Sequence, residues 1–262
     1  MGLLQLAAKE QYQIIQLTDC HLLADLDGDY HGVKPGRYLQ QVVSAIAADC
    51  CQPDAVVLTG DLSQDHSFAS YQLLAGLLRP LSCPVLVLPG NHDNYEHLSW
   101  LTQQPPLVAA SSLQLADWHL LLLDTKGTTP AGYFELPRRQ ALAEHFARCP
   151  AANFWLFSHH HPLPLGSAID KHGWQNAAPF WQLLATEPRV KGLAHGHCHH
   201  AYAKQHQQID VVGCPASSVQ FCQVQAWQTL DQGPMYCQWQ FGADGRVNWQ
   251  FIRLPPTVAG QG

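Results

Sequence analysis

Short unbroken apolar runs, each stopped by Gly, Pro, Asp or His, alternate along this chain with stretches whose apolar residues recur at three- and four-residue spacing. Runs of the first kind have the length and texture of strands covered on both faces, and the second kind is the pattern of amphipathic helices. The sharpest run is Val85-Leu86-Val87-Leu88, held between Pro84 and Pro89 and followed at once by Gly90-Asn91-His92-Asp93. A buried parallel strand that ends in Gly and then in donor side chains is the arrangement an α/β sheet shows where it presents chemistry at its carboxyl edge. Further strands are predicted over 12–17, 54–59, 118–124, 153–158, 190–195 and 209–214, and helices over 37–48, 68–78, 95–102, 136–148 and 177–185. Asp65 or Ser67 is placed to cap the 68–78 helix, and Pro137 falls in the first turn of 136–148. Two last strands, 235–241 and 246–254, form a hairpin through Ala243-Asp244-Gly245.

The order is strand then helix up to about residue 200 and richer in antiparallel strands afterwards, which predicts an α/β fold of two packed sheets flanked by helices. No linker, low-complexity run or fixed-period repeat interrupts the 262 residues, of which 47% are hydrophobic. One domain over 1–262 is therefore expected, with a core at 12–200 and the strands of 209–254 completing the second sheet.

Composition narrows the function. A net charge of −6 and a pI near 6.2 exclude a nucleic-acid scaffold, which needs a basic field to neutralise phosphates. The first eleven residues lack the pattern of a signal peptide, and no run approaches a membrane span. Nine cysteines without regular spacing, including the vicinal pair Cys50-Cys51, fit free thiols in a reducing compartment, so a cytoplasmic protein is expected. The unusual count is 16 His against 14 Lys plus Arg, which points to metal ions as the missing cations.

The strand ends supply the ligands. Since side chains alternate along an extended strand, Asp19 and His21 should leave one side of the first strand end, and His197 and His199 one side of a later one. Gly60-Asp61 offers a lone carboxylate, Asn91 and His92 follow, and His159-His160-His161-Pro162 adds one or more imidazoles. Oxygen and imidazole with hardly any thiolate suit Fe, Mn or Zn, and using the whole set requires two metals. Asp61 is the natural bridge, because its two oxygens can each hold a cation when the ions are about 3.5 to 4 Å apart. The Asp25, Asp27 and Asp29 loop lacks the terminal Glu of a calcium loop and reads as a solvated turn. His31, His66, His97, His145 and His206 read as solvated, and His161, His195 and His200 as supporting groups.

Asp-x-His, Gly-Asp, Gly-Asn-His-Asp, His-x-Pro and Gly-His-x-His, in this order from Asp19 to His199, resemble the calcineurin-like metallophosphoesterase superfamily. The resemblance implies a four-layer αββα sandwich of two mixed sheets flanked by helices. It implies one metal held by Asp19, His21, Asp61 and His199, and a second by Asp61, Asn91, His160 and His197. His160 is taken because the family ligand is the His two positions before Pro162, which leaves His159, like His161, as a supporting group pointing elsewhere. Gly60-Asp61-Leu62-Ser63-Gln64-Asp65, His160-His161-Pro162-Leu163-Pro164, the 170–177 segment and Cys214-Pro215-Ala216-Ser217-Ser218 are in addition similar to bacterial class III 3',5'-cyclic-AMP phosphodiesterases. Pro234-Met235-Tyr236-Cys237 and His200 depart from that group, which usually has Pro-Gly-Tyr-Arg and Gln at these places.

The expected activity is hydrolysis of 3',5'-cyclic AMP to 5'-AMP by in-line attack of a metal-bridging hydroxide, with two Fe or Mn ions as the leading cofactors and Zn as a third candidate. His92, beside the ligand Asn91 but free of metal, is the candidate general acid, and Asp65 could orient it. His21, Asp61, Asn91, His92 and His199 should surround the substrate phosphate. Lys171, Trp174 and Asn176 are candidates for the base pocket, with ordinary packing of Trp174 as the alternative. The arginines that resemble phosphoprotein phosphatases are replaced by Gln64 and Pro89, which favours diesters. Other diesters, such as 2',3'-cyclic nucleotides and glycerophosphodiesters, and a non-catalytic scaffold are the competing readings. Eight Trp and the long C-terminal hairpin leave room for a homodimer.

Overall fold

The computed structural model describes residues 2–50, 52–149 and 152–256; Cys51, half of the vicinal pair, lies outside them. In chain order the strands are β1 (Leu3–Gln5), β2 (Gln11–Leu17), β3 (Ala55–Thr59), β4 (Val85–Leu88), β5 (Ser112–Leu115), β6 (Trp118–Leu123) and β7 (Asn153–Ser158). They continue as β8 (Val190–His195), β9 (Tyr202–His206), β10 (Ile209–Gly213), β11 (Gln220–Phe221), β12 (Thr229–Leu230), β13 (Met235–Gly242) and β14 (Val247–Arg253). The helices are α1 (Pro35–Ala48), α2 (Phe68–Leu78), α3 (Tyr95–Leu101), α4 (Leu136–Arg148) and α5 (Ala177–Leu184), with a 3-10 turn at Ala168–His172. Ser67, as predicted, caps α2 by accepting from the Ser70 amide at 3.1 Å.

Two mixed sheets pack face to face. One has the order β14-β13-β2-β3-β4 and the other β1-β5-β6-β7-β8-β10-β9. Each contains a parallel trio: β2, β3 and β4 along one edge of the first, and β6, β7 and β8 at the centre of the second. Period-two alternation sorts their side chains. Ile14, Val57 and Leu86 point between the sheets, where they meet Trp118, Trp155, Phe157, Trp239 and Phe241. Ile15, Leu17, Val56, Leu58 and Val85 point outward under α1, α2 and α3, and Leu121, Leu123, Phe154 and Leu156 point outward under α4 and α5. The result is the four-layer αββα sandwich. Each fully buried Leu, Val or Phe in these layers contributes about 1.5 to 3 kcal/mol. Gln16, buried among them, is satisfied by Thr59 Oγ1 at 3.0 Å and by the Trp239 indole N–H at 3.2 Å.

The strands of 209–254 do not all complete the second sheet. β10 pairs parallel with β8 in the seven-stranded sheet, whereas β13 pairs antiparallel with β2 in the five-stranded one, and β14 follows at its edge. The cause is the alternation of β13, whose Cys237, Trp239 and Phe241 are buried between the sheets while Gln238 and Gln240 face outward. Strands β1, β5 and β9 carry no sequence expectation; β9, Tyr-Ala-Lys-Gln-His, has no apolar run and lies at a sheet edge with every second residue exposed. Among the described residues no helix is long and apolar enough to cross a membrane.

Candidate metal centre

The predicted ligands meet at the carboxyl rim of the two parallel trios, by a local geometry other than the pleat. β2 stops at Leu17 and β8 at His195, and beyond them the backbone turns left-handed at Asp19 (φ 53°), His21 (φ 45°), His197 (φ 66°) and His199 (φ 44°). Asp61 (φ 51°) does the same after β3. Such backbone costs non-Gly residues on the order of 1 to 3 kcal/mol each and persists where surrounding structure holds it. Here the loops hold one another, with the Asp19 amide donating to Gly60 O, the His21 amide to Asp61 O and the Gly196 amide to His159 O, at 3.0, 2.9 and 3.1 Å. The two glycines before the ligands follow from this closeness. A Cβ at Gly90 would lie 2.2 Å from Asp61 Oδ1, and Gly60 combines φ +92° with a Cβ position 2.5 Å from Gly90 N.

One donor cluster contains Asp19, His21 and His199. His21 Nδ1 donates to Gln64 Oε1 at 2.8 Å and His199 Nδ1 to Val219 O at 2.6 Å, which leaves lone pairs on the two Nε2 atoms. Those atoms face each other at 3.1 Å. Asp19 Oδ2 accepts from the His197 amide, while Oδ1 is buried without a hydrogen bond, 3.4 Å from His199 Nε2 and 4.0 Å from His21 Nε2. An orphaned carboxylate oxygen facing two imidazole lone pairs is the donor set of a cation site. Burial opposes the Asp19 charge, yet the neighbouring His199 and His159 hold its carboxyl below the usual range. Burial pushes the His21 imidazole down to about 3, so it stays neutral and able to ligate.

The second cluster brings His159, His160 and His197 together, and hydrogen bonding separates the first two. His160 has both ring nitrogens occupied: Nε2 donates to Pro130 O at 3.2 Å and Nδ1 accepts from Thr125 Oγ1 at 2.8 Å. His159 instead donates from Nδ1 to Thr59 O at 2.8 Å and aims Nε2 into the site. That atom lies 3.3 Å from Asp61 Oδ2, 3.1 Å from Asn91 Oδ1 and 3.2 Å from His197 Nδ1. The register drawn from Pro162 is thus displaced by one residue, because the chain leaves β7 with His159, not His160, turned towards Asp61. Asp61 Oδ2 is also 3.7 Å from His21 Nε2, so one carboxylate oxygen faces both clusters. Its Oδ1 accepts from the His92 amide at 2.9 Å. Although burial opposes it, the His159 and His21 imidazoles hold the Asp61 carboxyl well below its ordinary range.

His92 edges onto the His21 ring at 5.1 Å and stacks on His66 at 5.4 Å, and its Nδ1 has no hydrogen-bond partner. Burial lowers its pKa against the pull of Asp61. Asp65 does not orient it: that carboxylate accepts from the amides of Ala24 and Ser67. Asp93, which carries no sequence expectation, accepts from the amides of Leu62 and Gly90 and from the Tyr71 hydroxyl, tying the two ligand loops together. Burial, reinforced by Asp61, lifts its carboxyl to about 6. The only sequence signal for it was its place in Gly-Asn-His-Asp.

A cavity of about 460 Å³ opens over the site, lined by His21, Tyr30, Asn91, His92, Ile169, His172, His197, His199, Phe221 and Trp227. Phe221 stacks flat on the His199 ring at 3.9 Å, and Tyr30 on His21 at 4.7 Å. The 170–177 segment contributes differently from expectation. Trp174 is buried against Phe134 and Phe180 and bonds Asn176, which in turn caps Phe134, whereas Ile169 and His172 reach the cavity and Lys171 sits 5.2 Å over the Trp227 ring. A larger groove of about 580 Å³, between α2 and the segment after α3, carries no metal-ligating or nucleophilic side chain. Of the histidines expected to be solvated, His31 and His66 are exposed, while His97, His145 and His206 are half-buried against Tyr71, His119 and Trp181. His161 and His195, both buried, bond Asp170 and Tyr202.

The family model of calcineurin-like phosphoesterases matches residues 12–201. A probable cyclic nucleotide phosphodiesterase of Pseudoalteromonas sp. (strain SM9913) is 38% identical over 229 residues, covering 86% of each chain. The 3',5'-cyclic adenosine monophosphate phosphodiesterase of Vibrio vulnificus (strain CMCP6) is 34% identical over 94% of this chain and 92% of its own length. That of Escherichia coli (strain K12) is 33% identical over 97% and 94%. Among solved structures, a dimetal phosphatase from Danio rerio superposes with a TM-score of 0.65 at 14% identity, over 92% of this chain and 98% of its own, a likeness of fold alone.

Proposed function

The chain belongs to the calcineurin-like phosphoesterase family, and on that premise we propose that it hydrolyses 3',5'-cyclic AMP to 5'-AMP at a two-metal centre. The observation that carries the centre is Asp61 Oδ2, which faces His21 Nε2 and His159 Nε2 from between them at 3.7 and 3.3 Å. The named activities of the relatives support the substrate. Asp19, His21, Asp61 and His199 would hold one ion, and Asp61, Asn91, His159 and His197 the other. Fe or Mn is the leading choice, and the imidazole and carboxylate set accepts Zn as well. When bound, the ions supply Lewis acidity towards the phosphoryl oxygens and lower the pKa of coordinated water.

The chain's own residues do the rest. His21, Asp61, Asn91, His92 and His199 surround the place of the phosphate. The buried His92 imidazole carries the proton for the leaving 3'-oxygen, and the negative charge of a bound diester raises its proton affinity when the proton is needed. The aromatic wall of Phe221 and Trp227 offers a flat apolar surface for a purine. The test is a substrate panel with protein reconstituted with Mn or Fe: 3',5'-cyclic AMP, 2',3'-cyclic AMP, a glycerophosphodiester and a phosphomonoester. Preferred release of 5'-AMP from the first is expected. Preference for another diester would keep the centre and replace the substrate.

A further inference from the structure

A second group of donor side chains lies at the other end of β6, away from the rim that carries the site above. The alternation of β6 sends Trp118, Leu120 and Leu122 between the sheets and His119, Leu121 and Leu123 towards α4, so a histidine, buried at 8% exposure, stands where the pattern asks for an apolar residue. Opposite it, the last turn of α4 presents His145, and four residues on, at the carboxyl cap, Cys149. His119 Nδ1 lies 3.4 Å from His145 Nε2, Cys149 Sγ lies 3.9 Å from the same Nε2, and the three donor atoms are all within 4.8 Å of one another. For a tetrahedral ion with metal–nitrogen bonds of about 2.0 to 2.1 Å and a metal–sulfur bond of about 2.3 Å, the N···N and N···S separations should be about 3.3 and 3.6 Å. The nitrogens are already spaced for it, and the sulfur needs a few tenths of an ångström towards His145 and has to close on His119 from within 4.8 Å.

The surroundings prepare the group. Burial lowers the proton affinity of both imidazoles, so each has a lone pair to give. Arg189 donates to Phe146 O and Cys149 O, which fixes the end of α4, while its own charge is taken by Glu187. The carboxyl end of the helix is the negative end of its dipole and favours a cation. The Phe154 ring closes one side, 5.8 Å from the ring of His119 and 6.1 Å from that of His145.

We propose that His119, His145 and Cys149 bind one further divalent ion of borderline softness, Zn²⁺ by preference, with solvent completing its shell. The ion pins the carboxyl end of α4 to β6, and on binding the Cys149 thiol proton passes to solvent. None of these residues belongs to the proposed phosphodiesterase centre, which offers only oxygen and nitrogen donors, so a sulfur-to-metal signature separates the two sites. The experiment loads the full chain anaerobically with Co²⁺ and records its absorption and metal content beside Cys149→Ser and His145→Gln, each checked for folding by circular dichroism. Expected is a thiolate-to-cobalt charge-transfer band in the native sequence that is lost in both variants, one equivalent less of bound metal, and unchanged hydrolysis of cyclic nucleotide. No such band in the native sequence, or a band of equal strength in whichever variant folds, would overturn the proposal.

Discussion

His159 and His160 are neighbours in sequence, and what their nitrogens face separates them. A ring that donates Nδ1–H to a carbonyl has its Nε2 left to face a metal, as His159 does with Thr59, whereas His160 spends both nitrogens on Pro130 and Thr125. His159→Ala should therefore lose one metal ion per chain and most of the turnover. His160→Ala should keep both ions and lose about 1 to 3 kcal/mol of stability from unpaired buried groups; metal analysis and thermal melts read the two apart. Burial works to lower the pKa of His159, but the Asp61 charge, a hydrogen bond to it, and Asp19 raise it to about 9 in the metal-free chain. A metal must displace that proton. Uptake at pH 7 should release about one proton from this residue, and apparent affinity should fall about tenfold for each pH unit below 9, measurable by metal titration with a pH indicator. His92→Ala should lower turnover by roughly 10² to 10⁴ with metal content retained; full activity in a metal-loaded variant would remove it from the mechanism.

At the scale of the elements, the ligand loops are held in left-handed turns that cross-pair beyond the strand ends, and the glycines before them are spacers. Gly90→Ala puts its Cβ 2.2 Å from Asp61 Oδ1, so it should push Asp61 from between the two histidine clusters and reduce metal binding by at least about tenfold, read by equilibrium metal titration. The strand ends were legible because an apolar run followed by Gly and donors is a local signal; all six strands of the parallel trios and all five helices fall close to their predicted spans. The side on which Asp19 and His21 emerge was also legible, although pleat alternation was the wrong cause. What could not be read was the register of a three-histidine run, because a single left-handed residue in a neighbouring loop, such as Asp61, changes which ring meets it. Strands β1, β5 and β9 escaped for a different reason: β1 and β5 are only three and four residues long and β9 has no apolar run, so none carries a period of its own to read.

For the whole molecule, two sheets sharing one aromatic core bring the ends of β2, β3 and β4 against those of β7 and β8, and no single segment holds a complete donor set. The layer count followed from alternating elements, but the split of β10 and β13 between sheets depended on which face of β13 meets Trp155 across the core, 5.0 Å from Trp239. The acidic balance of the chain, −6, leaves the substrate's charge to be met by bound cations and a few polar groups at this rim. The most direct test is anomalous diffraction from crystals of the Mn-loaded protein. The account predicts two peaks about 3.5 to 4 Å apart with Asp61 bridging them, and His159, not His160, on the ion shared with Asn91 and His197. One peak alone at this rim, or an ion ligated by His160 with His159 turned away, would contradict it.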